Sequence, residues 1–527
     1  MRFKARHLYY SSHWELVNWI RFHSVILLGS LCLAQYPEWR PIGPWGGAAR
    51  QVGLDAAKPD TMLALGLRGA SLYRSRDGGR RWTHLKNFPD LEGARLDAAL
   101  IVPGQWLVGA APGGIWLSSD EGESWQRIES TARLSVFALT AWAGDPRVIA
   151  AGTSEGVWKT NDGGASWRRI SPKSIADLSA IVSVAFDPRR AGTLFAGTPH
   201  LPWKTVNGGE TWQKIATGMY DDSDIFSLAV DPREPSRVFA SACSGIYASL
   251  NGGTAWRRVQ GIPGTNRRTY VVSQSPHDRS IVFAGTSAGM WSSGDSGLSW
   301  TKRNDFVATS IAWHPADQRR FYISTERHGL LETTDGGGSF APRNEGFASR
   351  ALSALASTAA EFFALAPYEG LFRWSAGAWQ PADCCRHFAG LRIDGGQPRV
   401  FEPDAAAPAR EPGFETATDP FAPQVRLRAS LEGLAKSTDG GRSWRMVQQE
   451  WIRSVAFHPK RKGLCFALRH RRVFWSPDAG ENWYWLPAQE DSHLVFEKLY
   501  VSEAMPDLLV AQTPARGLYV QSIGNLR

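Results

Sequence analysis

Residues 75–82 carry the sequence Ser75-Arg76-Asp77-Gly78-Gly79-Arg80-Arg81-Trp82, and its pattern Ser/Thr-x-Asp-x-Gly-x-x-Trp returns along the chain. It recurs, for example, from Ser118 to Trp125 and from Thr160 to Trp167. Glycine tolerates the positive φ of a tight hairpin, and a short Asp side chain accepts backbone amide hydrogens inside a turn. The motif therefore predicts a hairpin turn that the chain uses repeatedly.

Nine copies of this turn motif lie between residues 75 and 483. So many near-identical copies in one chain cannot all be active sites, so we interpret the motif as structural, with the acidic or amide residue as turn acceptor and the Trp as a packing face. The acceptors are Asp77, Asp120, Asp162, Asn207, Asn251, Asp295, Asp335, Asp439 and Asp478. The aromatic residues are Trp82, Trp125, Trp167, Trp212, Trp256, Trp300, Trp444 and Trp483, with Phe340 in the remaining copy.

The copies recur about every 45 residues, which is the length of a four-stranded propeller blade. A decayed copy at Trp374–Trp379 fills a gap in the series, and the chain after residue 34 then divides into eleven units. Within a unit, a first apolar strand ends at a turn such as Asp187-Pro188, and a second strand such as Thr193–Thr198 follows. The turn motif connects the third strand to the fourth. The sequence thus predicts an all-β protein built from four-stranded blades.

The motif resembles the Asp-box, or bacterial neuraminidase repeat, of β-propeller proteins, and the resemblance covers residues 40–522. Sialidases, xyloglucanase-type glycosidases, sortilin-type receptors and the photosystem II assembly factor carry this repeat. The order of strand, Asp-Pro turn and Phe-Ala-Gly-Thr strand is most similar to the sortilin, xyloglucanase and assembly-factor branch. The resemblance implies a propeller related to other repeat propellers such as the WD40/YVTN type, and it says little about function.

The count predicts about 10–11 blades in one large ring, with two smaller propellers as the alternative. Sortilin-type rings are similar to this count, whereas xyloglucanase-type chains divide their blades between two rings. The last unit ends at Gly517–Gln521 without a fourth strand. Trp39–Pro44 resembles the fourth-strand segment Trp167–Pro172, so we predict that residues near 39–42 supply the missing strand and leave no open sheet edge.

Residues 1–34 read as a signal peptide, because basic residues precede the short apolar run Val25–Ala34. We expect an exported protein, periplasmic or extracellular, that contacts a membrane only through this segment if it is uncleaved. The net charge of +9 is interspersed with acids. Lys460–Lys462 and Arg469–Arg472 are predicted on opposite faces, so no nucleic-acid partner is expected. The cysteines do not form a disulfide scaffold, and Cys243 and Cys465 are expected to be free thiols.

Ligand contacts are expected on the face formed by the loops between second and third strands and by the links between blades, because these segments differ from unit to unit. The candidates for binding on this face are Arg68, Glu155, His200, Arg327, His328, Arg469, His470, Arg471 and Arg516. The weak candidates for acid–base chemistry are Asp221, Asp222, Asp224, Glu326 and Glu369. A Pro/Ala-rich stretch near residues 402–430 is predicted as a loop insertion between a second and a third strand. No metal site and no cofactor are predicted.

Three functions remain open from the sequence. The preferred hypothesis is an exported, non-catalytic scaffold that presents propeller loops to a protein, peptide or glycan. The alternative is a glycoside hydrolase resembling xyloglucanases, which requires two carboxylates across the scissile bond. If the acidic link Tyr220–Asp224 faces Glu326 or Glu369 across a groove, the hydrolase alternative becomes the stronger hypothesis. The third hypothesis is an assembly factor resembling the photosystem II one. A sialidase is disfavoured, because its Arg-Ile-Pro signature is absent from the sequence.

Overall fold

The fold was analysed in a computed structural model, which describes residues 38–67, 70–89, 91, 93–263, 268–383, 390–401, 415–486 and 494–526. Across these residues the chain forms eleven four-stranded antiparallel sheets, which confirms the β-propeller fold and the predicted number of blades. Helical structure within the same residues amounts to a single 3-10 turn, Glu129–Thr131. Each sheet buries the apolar faces of its strands against the neighbouring sheets.

Blades 1 to 7 follow one another along residues 49–342. Their strands are Ala49–Leu54, Met62–Gly66, Leu72–Ser75 and Thr83–His84 in blade 1; Arg95–Val102, Gln105–Ala111, Gly114–Ser118 and Gln126–Arg127 in blade 2; Val136–Trp142, Asp145–Thr153, Gly156–Thr160 and Arg168–Arg169 in blade 3; Ser183–Asp187, Arg190–Gly197, Pro202–Thr205 and Gln213–Lys214 in blade 4; Ile225–Val230, Val238–Ala242, Gly245–Ser249 and Arg257–Arg258 in blade 5; Thr269–Gln274, Val282–Thr286, Gly289–Ser293 and Thr301–Asn304 in blade 6; and Ala308–Trp313, Phe321–Thr325, Leu330–Thr333 and Ala341–Pro342 in blade 7.

Blades 8 to 11 form a second group. Their strands are Ala354–Ser357, Phe362–Ala366, Gly370–Ser375 and Ala378–Asp383 in blade 8; Glu415–Thr418, Arg426–Ala429, Leu434–Ser437 and Arg445–Gln448 in blade 9; Ser454–Phe457, Cys465–Arg469, Arg472–Ser476 and Tyr484–Trp485 in blade 10; and Lys498–Val501, Leu508–Gln512, Leu518–Ser522 and Arg40–Gly43 in blade 11. A two-stranded hairpin, Gly390–Asp394 with Gln397–Phe401, follows blade 8, and Gly46–Gly47 pairs in parallel with Ala348–Ser349.

The single large ring that we preferred is wrong, because blade 7 packs against blade 1 and closes a ring of seven blades. At this seam the Trp82 indole donates a hydrogen bond to the Arg343 carbonyl at 2.8 Å, and the Tyr322 hydroxyl donates one to the Gly78 carbonyl at 3.1 Å. Equal spacing of the repeats does not reveal which blades become neighbours. The side chains at the seam determine the neighbours, and they favour the alternative of two blade groups.

The N-terminal strand completes the last blade, as predicted. Arg40–Gly43 pairs antiparallel with Leu518–Ser522 and becomes the fourth strand of blade 11. Blade 11 also packs against blade 8, where the rings of Phe362 and Tyr500 stack with centroids 5.5 Å apart. The first described strand therefore belongs to the second group, and the chain then crosses to blade 1 through Gly46–Gly47.

The predicted loop insertion near residues 402–430 needs a correction. Glu415–Thr418 and Arg426–Ala429 are the first and second strands of blade 9, so they do not belong to a loop. The extra length lies between blades 8 and 9, where the hairpin 390–401 is placed, and residues 402–414 lie outside the described residues. Among the other expectations, Cys465 is a buried free thiol and Cys243 is a partly exposed one, while Cys384 and Cys385 lie outside the described residues.

The turn motif forms one hydrogen-bond pattern in every copy. In the first copy the Ser75 hydroxyl donates to the Asp77 carboxylate at 2.8 Å and accepts the Gly79 amide at 2.9 Å, while Asp77 also accepts the Arg81 amide at 2.9 Å. Where Asn replaces Asp, its side-chain oxygen accepts the equivalent amide, as Asn207 does from Thr211 at 3.0 Å. The motif thus closes its own hairpin and leaves chemistry to other positions.

Acid is expected to unfold the protein through these turns. Hydrogen bonds, first among them the one from the Ser124 hydroxyl, lower the pKa of Asp120 to about 2, and those led by Ser299 do the same for Asp295. An unfolded Asp has a pKa of about 3.9, so the contribution is present above about pH 4 and is lost as the pH falls towards 2. Thermal melting between pH 7 and pH 2 should show the midpoint falling steeply below pH 4.

The chain itself offers the matched control for the acid experiment. Asn207 and Asn251 occupy the acceptor position without a titrating group. The double variant Asp120→Asn/Asp295→Asn should therefore keep the turns, and its melting temperature should fall less steeply below pH 4. A pH dependence identical to that of the parent protein would show that other carboxylates drive the acid unfolding.

Candidate active site in the cleft between blades 7 and 8

An open cleft of about 730 Å³ separates blade 7 of the first ring from blade 8 of the second group. Blade 7 contributes the link that precedes its first strand and the loop between its second and third strands. Blade 8 contributes the loop Tyr368–Glu369 and the third strand. The lining residues are Ser287, Asp305, Phe306, Val307, Glu326, Arg327, His328, Leu331, Phe340, Pro342, Asn344, Arg350, Tyr368, Glu369, Phe372 and Pro381.

Aromatic side chains form much of the lining. The Phe306 ring lies edge-on to the Phe340 and His328 rings, with centroid distances of 6.1 Å to Phe340 and 4.8 Å to His328. Tyr368 is 53% exposed and stands on the opposite wall, while Phe372 is buried beneath the Arg350 guanidinium. Apolar walls with a few placed polar groups are typical of ligand-binding clefts.

Arg350 is the central cation of the cleft floor. Its guanidinium pairs with Glu369, donates hydrogen bonds to the Trp45 carbonyl at 3.1 and 2.9 Å, and lies 4.3 Å from the Phe372 ring centroid. Both side chains of the ion pair are only 8% exposed. Burial lowers the pKa of Arg350, and Glu369 opposes that shift. Glu369 is therefore the counterion of a buried arginine, which makes it a poor proton donor.

Glu326 has a different environment on the blade 7 wall. Its backbone amide donates to the Val307 carbonyl at 3.1 Å, which fixes the loop. Burial raises the pKa of Tyr270, and Glu326 raises it further. Asp305 lines the same cleft, is 91% exposed and pairs with Lys302. Glu326 and Asp305 are thus the two cleft carboxylates that do not serve a buried cation.

His328 lies beside these groups and is held as a neutral imidazole. Burial lowers its pKa, and the positive charges of Arg350 and Arg327 lower it further. The His328 carbonyl accepts a hydrogen bond from the Asn344 side-chain NH₂ group at 2.8 Å. The Asn344 side-chain oxygen accepts one from the Leu330 backbone amide, also at 2.8 Å. Asn344 therefore holds the loop that carries Glu326 and His328 against the third strand of blade 7.

The acidic link Tyr220–Asp224 does not face Glu326 or Glu369, contrary to the groove that we considered. It joins blades 4 and 5, and none of its residues lines the cleft. Asp222 instead lies 3.2 Å from the His200 ring nitrogen, and both side chains are strongly exposed. The candidates that the structure does bring together are Glu326 and Glu369, because the folding of blade 7 against blade 8 places their loops on opposite walls.

The predicted binding-face residues are distributed over several blades. Arg327 and His328 line the cleft. Arg469 pairs with Glu450, and the His470 ring lies 5.8 Å from Trp451, both in the second group. Glu155, His200, Arg471 and Arg516 lie outside the cleft lining, and Arg68 lies outside the described residues. No group of three or more His, Cys, Asp or Glu side chains that could hold a metal ion occurs within the part of the chain that the structure describes.

Sequence reasoning missed Asp305, Phe306, Arg350 and Tyr368. One signal for the cleft was nevertheless present, because Phe340 stands where the other copies of the motif have Trp. A Phe ring is smaller than an indole and leaves room at that wall. The departure from the repeat thus coincides with the cleft.

Comparison with known proteins agrees with this architecture. No protein-family model matches the chain. The GH74 xyloglucanase from Xanthomonas campestris superposes with a TM-score of 0.58 at 15% identity, covering 93% of this chain and 87% of that one. An ancestral GH74 enzyme superposes with a TM-score of 0.65 at 14% identity, covering 93% and 99%. This chain has the β-propeller fold of those enzymes. At such low identity the likeness extends to the fold alone.

One curated relative matches a short part of the sequence. It is a probable oligoxyloglucan-reducing end-specific xyloglucanase of Neosartorya fischeri, 33% identical over 72 residues. The match covers 12% of this chain and 9% of the relative. The chain therefore shares only a small fraction of that relative's length, and the relative's activity does not transfer with the match.

Proposed function

We propose that the protein binds a polysaccharide chain in the cleft between blades 7 and 8. The observation that carries this proposal is the cleft itself, which is open, lies between two blade groups and is lined by aromatic rings beside a few charged groups. Sugar rings present apolar C–H faces that pack on aromatic side chains, while their hydroxyl edges need polar partners. The aromatic packing surface is formed by Phe306, Phe340 and Tyr368, and the polar partners are Arg327 and Glu326.

This proposal names a carbohydrate as the ligand, whereas the scaffold hypothesis left a protein, a peptide or a glycan as possible partners. The similarity to xyloglucanases supports a glycan over a protein partner, and it supports the glycoside hydrolase alternative more than a non-catalytic scaffold. We therefore keep hydrolysis as a second candidate function. Glu326 and Asp305 are the observation that favours it, since both carboxylates line the cleft and hydrolysis needs an acid with a base or nucleophile.

The binding proposal predicts a loss of affinity when the exposed wall is removed. Tyr368→Ala should weaken the binding of xyloglucan oligosaccharides about two- to tenfold, because one stacked aromatic ring contributes about 0.5–1.5 kcal/mol. Isothermal titration calorimetry measures the change. Tyr484→Ala is the matched control, because Tyr484 is 51% exposed on the outer strand of blade 10. Equal affinities for both variants and the parent protein would contradict the proposal.

The same preparation separates binding from hydrolysis. Incubation with a panel of β-glucans, followed by measurement of reducing ends, detects cleavage. Reducing ends that appear with the parent protein and vanish with Glu326→Gln, while oligosaccharide binding persists, would establish a hydrolase with Glu326 in its acid–base chemistry. Binding without new reducing ends would establish a non-catalytic glycan-binding protein.

We also propose that the protein acts outside the cytoplasm, as periplasmic and extracellular polysaccharide-binding proteins do. This rests on the signal sequence predicted for residues 1–34, which lie outside the described residues. Among the described residues, no helix is long and apolar enough to cross a membrane.

A further inference from the structure

A β-bulge recurs at the mouth of the first ring's channel. The first strands of blades 1 to 7 pack side by side around the ring and line its channel. At the start of these strands the pairing register skips one residue in blades 1, 2, 3, 5, 6 and 7. Such β-bulges redirect a side chain and are frequent beside functional sites.

The skipped residues are equivalent in position and different in chemistry. They are Arg50, Asp97, Phe137, Phe226, Tyr270 and Thr309. The turn motif repeats the same residues because its task is structural, whereas these positions vary around the mouth. Specific recognition requires positions of this second kind.

Blades 5 and 6 place a compact group of planar side chains at the mouth. The rings of Phe226 and Tyr270 have centroids 6.2 Å apart and are tilted by 40°. The Arg268 guanidinium lies 5.1 Å from the first ring and 5.9 Å from the second. We call Phe226, Arg268 and Tyr270 the mouth platform. A guanidinium stacked on aromatic rings is held in place and keeps its N–H edges available as donors.

The mouth platform begins where the cleft ends. Ser287 and Glu326 line the cleft, and the Ser287 backbone amide donates a hydrogen bond to the Arg268 carbonyl at 2.9 Å. A ligand that extends from the cleft past Ser287 therefore reaches Arg268, whose guanidinium lies over the Phe226 and Tyr270 rings. The Ser287 loop of blade 6 thus connects the cleft to the mouth platform.

We propose that the mouth platform is a second binding site for the far end of a long glycan chain whose other end occupies the cleft. This inference rests on the proposed function of the cleft. Sugar units at the platform pack their C–H faces on Phe226 and Tyr270, and the Arg268 N–H groups donate to their hydroxyl oxygens. The protein then distinguishes long chains from short ones.

Chain-length dependence of affinity tests this proposal. Calorimetry with xyloglucan oligosaccharides of increasing length should show an affinity gain of about tenfold once the chain extends beyond the cleft. Phe226→Ala and Arg268→Gln should remove that gain and leave the affinity for the shortest binding oligosaccharide unchanged. Phe137→Ala is the matched control, since Phe137 occupies the equivalent bulge of blade 3, away from Glu326.

The outcomes separate this proposal from the function on which it rests. Short and long oligosaccharides that bind the parent protein equally would overturn the mouth platform and leave the cleft proposal intact. An equal loss in Phe137→Ala and Phe226→Ala would assign the effect to a distorted ring and would also overturn it. Absence of binding at every length would overturn both proposals.

Discussion

Glu369→Ala should lower the free energy of unfolding by about 3–5 kcal/mol, because it leaves the Arg350 guanidinium buried without its counterion. The partner carboxylate and guanidinium are each only 8% exposed, so water cannot replace the lost charge. Urea unfolding followed by tryptophan fluorescence measures the change. The effect should be among the largest of any single substitution, since Arg350 joins Trp45, blade 8 and the connection between the two blade groups.

Two further variants identify the cause of that loss. Glu361 pairs with Arg373 on the same blade, where both side chains are much more exposed, so Glu361→Ala should cost less than about 1 kcal/mol. The double variant Glu369→Leu/Arg350→Met removes both charges and should recover much of the stability lost in Glu369→Ala. If Glu369→Ala and Glu361→Ala had equal and small effects, the buried pair would not stabilise the cleft floor.

Removal of the N-terminal strand should have the second large effect. A protein that begins at Trp45 lacks Arg40–Gly43, so Leu518–Ser522 becomes an unpaired sheet edge. It also lacks Trp39, which packs on Phe496 at 4.6 Å, and Ile42, which packs into the core between blades 8 and 11. Both side chains are partly buried, so each contributes less than the roughly 1.5–3 kcal/mol of a fully buried apolar side chain. We expect a lower melting temperature and association through the exposed edge.

The comparison protein for this experiment begins at Gln35 and retains the strand. Light scattering and thermal melting compare the two proteins at equal concentration. A synthetic peptide of residues 38–44 should restore part of the lost stability, because it can pair with the free edge in trans. An unchanged melting temperature in the protein that begins at Trp45 would show that the N-terminal segment is only a tail.

A blade can be predicted from sequence alone, because short-range contacts fix its turns and strands. The turn motif closes through groups two to four residues apart, such as Ser75 with Asp77 and Asp77 with Arg81, so its pattern predicts a hairpin wherever it occurs. Repeat counting then predicted the number of blades. The missing fourth strand of the last unit predicted the pairing of residues 40–43, since a fourth-strand segment was left over at the other end of the chain.

The choice of neighbouring blades depends on contacts between residues that are distant in the sequence. Trp82 and Arg343 are 261 residues apart, and their contact closes seven blades into a ring where equal spacing suggested eleven. The same packing places Glu326 and Glu369 on opposite walls of one cleft, assigns Glu369 to Arg350 and leaves Asp222 outside the cleft lining. Blade interfaces are apolar surfaces of similar shape, so a repeated sequence fits many orders. The few side chains that differ at the seams select one of these orders, and the position of the cleft follows from it.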